Sequence, residues 1–211
     1  MSGAAPRRAP WLWWAAGGWL AATLNVSAAA IDTELIQRPW PDQQVHEFEV
    51  GRHAVRWRQR ASRTDGIFAG VRFEIALPRQ TVWTLANERQ DVGRTIPGVT
   101  AVRVLEQSET REVIDVDVKV LWHRVTLHFE VEKEPPRVVR FRLVNRALGE
   151  YRGVCVFEES PGTSVELATW LQPARPVPMG LLLLVERMAL LQGARQFLLQ
   201  CDRRLSVAQA R

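Results

Sequence analysis

The order of its parts constrains this chain most. A long apolar segment with helical spacing, Val177 to Leu205, comes last, after roughly 110 residues of alternating, turn-punctuated sequence. One helix following many strands predicts an α+β domain, a sheet closed over by a single long helix, with any binding chemistry in the space between them. Within the last segment Leu181, Leu184, Val185, Met188, Leu191, Ala194 or Arg195, and Leu198 recur at helical spacing. The run LLLLV is far shorter than a membrane span and is soon followed by Glu186 and Arg187, which points to burial against the sheet.

Before that helix the strands follow one another. VHEFEV, Gly51 and HAVRWRQRAS read as two short strands about a turn, an N-terminal hairpin that either stabilises the domain or flaps over a cavity. GIFAGVRFEIALP reads as a long strand with Ile67, Ala69, Val71, Phe73, Ile75 and Leu77 on one side, stopped by Pro78. TVWTLANE and RQDVGRTIPG predict a short helix pair or a broken helix, ended by the Pro97-Gly98 turn. Four or five further strands are expected among VTAVRVLEQ, REVIDVDVKVLW, RVTLHFEVEKE, VVRFRLVNR, YRGVCVFEES and SVELATWLQPA. Val125, Leu127, Phe129 and Val131 alternate with Thr126, His128, Glu130 and Glu132, the pattern of an antiparallel strand with one wet face.

The first thirty residues stand apart from this. Arg7 and Arg8 precede WLWWAAGGWLAATL, which ends in the small residues of NVSAAA, as in an export signal cleaved after Ala28 or Ala30. A retained membrane anchor is the rival reading, but Trp11 to Leu24 is about 14 residues, short of the ~20 that span a bilayer core. The divisions expected are a leader over 1–30, an arm and hairpin over 31–65, the main domain over 66–205 and a tail over 206–211, with the mature protein in a bacterial periplasm. The 211 residues carry a formal charge of +5. Two of those charges leave with the leader, and the remaining arginines are scattered among acids, so no strip tracks phosphates and nucleic acid is excluded as a partner. Contact with an envelope protein or a membrane surface stays open. Cys155 and Cys201 are candidates for a bridge between a late strand and the late helix; two separate buried thiols are the plainer reading.

Taken together, TVWTLANERQDVGRTIPGVTAVRVLEQ, the EPP turn in EVIDVDVKVLWHRVTLHFEVEKEPPRVVRFRLV, YRGVCVFEESPGTSVELATWLQP and the long final helix resemble the START-related SRPBCC superfamily, its polyketide cyclase/dehydrase-like or coenzyme Q-binding-like branch. The resemblance covers about Gly66 to Leu205. It implies a helix-grip fold: a curved antiparallel sheet of about seven strands around the C-terminal helix, two short helices after the first core strand, and an internal apolar cavity. The N-terminal hairpin is an addition to that form. Members bind lipids, quinones, plant hormones or polyketides, and a minority are enzymes.

On that fold the inward alternation places Phe73, Leu127, Phe129, Phe141, Leu143 and Tyr151 along the cavity, with Ile75, Val125 and Cys155 beside them. Phe157, Leu167 and the helix residues Leu184, Met188 and Leu191 complete the expected wall. A filled core would use the same residues. Tyr151, Trp122 and Trp170 are candidates to orient a ligand head group, Tyr151 the best of them. Asp115 and Asp117 share one strand face and can in principle divide acid and base roles, but their alternation with Ile114, Val116 and Val118 makes a solvated outer face the stronger reading, one that Arg140 and Arg142 would complete. His123 and His128 fall on opposite faces, and His46 and His53 are isolated in sequence, so no metal site is expected. Ser160 lacks a nucleophile-elbow motif, no catalytic residue is assigned and no cofactor is implied. The reading is non-catalytic binding or transport of a small hydrophobic molecule; the alternatives are an envelope interaction module with an apolar strip around Trp40, Trp57 or the hairpin, and a cyclase/dehydratase-type enzyme with convergent polar groups in the cavity.

Overall fold

The computed structural model describes residues 45–62, 66–87, 98–120, 123–145, 148–174 and 178–209. Period-two alternation governs most of them. The strands are β1 (Val45–Val50), β2 (His53–Ser62), β3 (Gly66–Ile75), β4 (Val99–Gln107), β5 (Arg111–Val120), β6 (His123–Glu134), β7 (Val138–Leu143), β8 (Gly149–Glu159) and β9 (Thr163–Pro173). They form one sheet in the order β1-β2-β3-β9-β8-β7-β6-β5-β4, every neighbouring pair antiparallel. Two meanders are thus joined where β3 pairs with β9, Ile67 opposite Leu171 and Ile75 opposite Thr163.

Among the described residues two helices accompany the sheet, α1 (Arg79–Asn87) and α2 (Met179–Gln209). Each starts directly after a proline whose carbonyl accepts the first helical bonds: Thr81 N and Val82 N donate to Pro78 O, and Leu181 N and Leu182 N donate to Pro178 O. Proline at the boundary ends the preceding extended segment and lacks an N–H that would go unsatisfied there. α1 buries Val82, Trp83 and Leu85, and the Trp83 ring meets Phe157 edge-on at 5.4 Å. α2 packs most extensively on β3 and then β2. No helix among the described residues is long and apolar enough to cross a membrane.

The antiparallel sheet and long final helix agree with the sequence reading, and three details differ. Among the described residues the sheet has nine strands, not about seven, because the N-terminal hairpin continues the same sheet through β2, with Val55 opposite Phe73 and Ser62 opposite Gly66. All six segments proposed after α1 form strands. The sheet is not clearly curved, and its register shifts, between Val99 and Ala101 and between Val104 and Glu106, lie at the β4 edge where they do not bend the centre. One short helix is described where two are expected; the second expectation falls on 88–97, outside the described residues. Gly98 has φ +87°, as a turn after Pro97 requires.

Alternation sorts the side chains into two faces. On the helix-covered face one cluster joins Val55, Val71, Phe73, Ile75, Phe157 and Val165 to Leu190, Ala194, Leu198 and Cys201 of α2. A second cluster on that face gathers Leu127, Phe129, Val131 and Leu143, with Ile114, Val116, Val118, Val125, Phe141 and Tyr151 packed against it. Val139 belongs to both. The opposite face carries Phe68, Val154 and Ala168, roofed by cations: Arg58 lies 4.6 Å over the Phe68 ring and Arg152 4.4 Å over Trp170. There Arg103 pairs with Asp117, His128 with Asp115 at 2.8 Å, Arg111 with Glu130 at 2.8 Å, Arg142 with Glu130, and Arg140 with Glu134. Asp115 and Asp117 are therefore engaged in ion pairs on the outer face.

The cysteines are not bridged. Asp202 of α2 bonds His53 on β2, which fixes the neighbouring Cys201 turn on that side, whereas Cys155 is on β8, three strands away. At roughly 4.8 Å per strand that is about 14 Å, beyond the ~7 Å between Cα atoms that a disulfide tolerates.

Candidate functional site between the sheet and the terminal helix

A row of paired residues crosses the helix-covered face: Gln59, Ala69, Thr169, Gly153, Phe141, Val131 and Glu112 stand in successive cross-strand register. Gly153 makes room in that row. A Cβ built there would lie 2.2 Å from Phe141 Cζ, so the Phe141 ring rests against the β8 backbone itself. Tyr151, two residues earlier on the same face, completes an aromatic triad with ring centroids 6.0 Å from Phe141 and 6.1 Å from Phe129. Such contacts contribute about 0.5–1.5 kcal/mol per pair beyond area burial and fix the ring that carries the Tyr151 hydroxyl.

That hydroxyl reaches the helix. Tyr151 donates to Glu186 Oε1 at 3.2 Å, and Thr169 Oγ1 stands 2.5 Å from the same oxygen and 3.4 Å from Ala69 O. Glu186 is 8% exposed. Burial pushes its carboxyl above the ordinary value, and the bonds from Thr169 and Tyr151 offset only part of that. Burial likewise lifts the Tyr151 phenol well above its usual range, and the Glu186 charge adds to the effect. Nearby, Gln59 Nε2 donates to Leu183 O at 2.7 Å, and Arg187 turns onto the Trp57 ring at 4.5 Å, whose other partner is His46, stacked at 4.7 Å.

A second polar pair sits on this face: Lys133 Nζ lies 2.6 Å from Glu112 Oε1, with Glu112 buried and Lys133 partly so. Both are in phase with apolar neighbours, Glu112 with Ile114 and Val116, Lys133 with Phe129 and Val131, and that parity was the signal available in the sequence. Glu186 had a signal too: it lies four residues after Leu182 and four before Leu190, interrupting a helix stripe with a charge.

The expected lining residues divide into three groups. Leu127, Phe129, Phe141, Leu143 and Tyr151 come together in the second cluster. Phe73, Phe157, Leu167 and Leu191 belong to the first, where Phe73 meets Phe197 at 6.2 Å and helix side chains occupy the space. Leu184 and Met188 do not join either. They are 52% and 50% exposed and, with Leu181 and Val185, lie on the side of α2 away from Glu186, since a 100° advance per residue puts 184 and 188 nearly opposite 186. Burial pushes the thiols of Cys155 and Cys201 up to about 12, which leaves neither available as a thiolate nucleophile. Ser160 sits at the β8–β9 turn, accepting from Gly162 N at 3.3 Å. No group of three or more His, Cys, Asp or Glu side chains able to hold a metal ion occurs among the described residues. Trp170 is on the opposite face under Arg152, and Trp40 and Trp122 fall outside the described residues.

The arrangement of strands and terminal helix is that of known proteins. A STAR-related lipid transfer protein from Xanthomonas axonopodis is similar over 74% of this chain and 98% of its own, with TM-score 0.57 and 14% identity. TTHA0849 from Thermus thermophilus covers 67% and 97%, at TM-score 0.51 and 22% identity. The Zhui aromatase/cyclase from Streptomyces sp. R1128 covers 72% and 96%, at TM-score 0.52 and 16% identity. At these identities the likeness concerns the fold alone. No curated protein matches the sequence. The family described as polyketide cyclase / dehydrase and lipid transport matches residues 75–197, more than half of the sequence, from the end of β3 to the Phe197 turn of α2. This chain belongs to that family, within the START-like SRPBCC superfamily.

Proposed function

We propose that this protein binds or carries a small hydrophobic molecule, a lipid, quinone or polyketide-like compound, without covalent chemistry, in an internal cavity between the β5–β9 part of the sheet and the N-terminal half of α2. The observation that carries this reading is the second apolar cluster. Ile114, Val116, Val118, Val125 and Phe141 are only partly buried there, although α2 packs chiefly on β2 and β3. Covering such surface with a ligand yields about 25 cal/mol per Å² of apolar area removed from water. A family that spans lipid transport supports the same reading.

Two further readings have an observation each. Glu186, Tyr151 and Thr169 converge on one oxygen, which is the polar constellation that acid–base chemistry of the cyclase or dehydratase type would need. The exposed stripe of Leu181, Leu184, Val185 and Met188 suits contact with an envelope protein or a membrane surface; Trp57, by contrast, is sandwiched between His46 and Arg187 and offers no such strip. Export to the periplasm rests on the leader pattern of residues 1–30, and the mass of the mature chain tests it.

Native mass spectrometry with lipid extraction, on protein recovered from its exporting host, tests the main reading. A stoichiometric apolar species that is lost in Leu143→Trp supports it. A protein that stays free of ligand across a lipid, quinone and polyketide panel overturns it in favour of the interaction module.

A further inference from the structure

The ligand class can be narrowed by the one buried carboxyl that α2 lowers onto the sheet, and the step rests on the hydrophobic-ligand reading above. Both neighbouring hydroxyls, from β8 and β9, are directed at Glu186 Oε1, and no hydrogen bond to Oε2 is formed among the described residues. One carboxyl oxygen is thus spent on holding the group in place and the other is not. Among the described residues no cation reaches it. Arg187 is turned onto Trp57, Gln59 is engaged with Leu183 O, and Lys133 is bonded to Glu112 at the far, β5 end of the same face.

We propose that Glu186, oriented by Tyr151 and Thr169, is a head-group site that takes a neutral hydrophobic molecule through an accepting oxygen, a ketone or quinone carbonyl or a hydroxyl, and rejects anionic amphiphiles. A neutral carboxyl can accept from the two hydroxyls at Oε1 and donate a proton from Oε2 to such an oxygen. A carboxylate ligand would bring a second acid to a site without a compensating cation, where an unbalanced buried charge is costly. Burial favours the neutral form that this arrangement uses. The apolar tail would then lie along Phe129, Phe141 and Leu143.

Matched twelve-carbon probes separate the terms. Dodecan-2-one, dodecanoate and dodecylammonium are titrated into the full chain at pH 7, followed by tryptophan fluorescence, with Trp57 beside Arg187 as a local reporter. The ketone is expected to bind about tenfold more tightly than dodecanoate, because the carboxylate would carry an unbalanced charge into the site. Glu186→Gln, which retains a donor and is close in shape, should keep both the ketone and the dodecanoate affinity within about threefold, whereas Glu186→Leu should lose the ketone preference. A cooperative thermal melt certifies that each variant is folded. Preference for dodecylammonium would make Glu186 a carboxylate receptor for cations and overturn the proposal. Equal binding of all three would overturn the head-group assignment while leaving the hydrophobic site standing, and no binding of any probe would remove both.

Discussion

Near its C-terminal end α2 presents Asp202 to His53 and Arg52; about four turns earlier it presents Glu186 to two neutral hydroxyls. The two halves of the helix are held by different means. In the C-terminal half Ala194, Leu198 and Cys201 are 5%, 0% and 0% exposed, and His53 bridges Glu74 O at 3.1 Å and Asp202 Oδ1 at 2.9 Å. In the N-terminal half four apolar residues face outward, and the ties to the sheet are polar: Gln59 to Leu183 O, Arg187 over Trp57, and the Glu186 cluster. Burial anchors one half, while the other half rests on groups that a ligand can replace. This is the division expected if the first half covers a binding site and the second fixes the lid to its frame.

Side-chain truncation breaks or sharpens that contrast most strongly. Leu198→Ala should cost about 2–5 kcal/mol in urea unfolding, because a fully buried leucine leaves a cavity behind. Met188→Ala, half-exposed three turns earlier, should stay within about 0.5 kcal/mol. Comparable losses at the two positions would mean that the helix is uniformly anchored. Next comes Gly153→Ala. Its Cβ would displace the Phe141 ring from the β8 backbone, so a loss of about 1–3 kcal/mol is expected together with weakened binding of an apolar probe, since the same ring is part of the proposed wall. Loss of stability with unchanged probe binding would remove Phe141 from the site.

Asp202→Asn has a smaller effect with a definite pH signature. Burial works against the Asp202 charge, but the hydrogen bonds and charges of His53 and Arg52 outweigh it and hold the carboxyl below its ordinary value of 3.8. A carboxyl with a depressed native pKa contributes stability that is present above the unfolded value and is lost as pH falls through the native one. The wild type should therefore exceed Asp202→Asn by about 1 kcal/mol at neutral pH, the net worth of a partly exposed, charge-assisted bond, and the gap should close on acidification below 3.8. A gap independent of pH in thermal melts would show that Asp202 acts by packing alone.

Most of the fold could be read from alternation, and the site was harder for a stated reason. Strand parity placed Phe73, Leu127, Phe129, Phe141 and Leu143 on the helix-covered face, because a period of two leaves no freedom once one residue is assigned. The same parity carried Glu112 and Lys133 inward, where composition alone suggested solvent. The phase of α2 is ambiguous at its start. Leu181 to Val185 are apolar on every side, so that run fixes no direction, and a stripe begun there selects Leu184 and Met188; begun from Ala194, Leu198 and Cys201 it returns through Leu190 to Glu186. Glu186 read as the charge that ends an apolar run is the residue aimed at the sheet. The meeting of Glu186 with Tyr151 and Thr169 depends on how α2 crosses β8 and β9, which local sequence does not encode.

Glu186→Gln tests the weaker half of the helix by the opposite sign. A carboxyl whose native pKa is raised binds its proton more tightly in the folded than in the unfolded chain, so the folded state is favoured most below the ordinary value of 4.5 and loses that advantage as pH rises through the native value. The wild type should thus lose stability on going from acidic to mildly alkaline solution, and Glu186→Gln, which cannot ionise, should flatten the decline and melt higher than the wild type at the alkaline end. The two variants bend the stability profile in opposite directions: Asp202→Asn removes stability that charge supplies, and Glu186→Gln removes a penalty that charge imposes. Thermal melts of both over a series from acidic to mildly alkaline solution decide between them. A melting temperature of Glu186→Gln that tracks the wild type throughout would mean that Glu186 ionises freely, and the helix would then have two anchored halves.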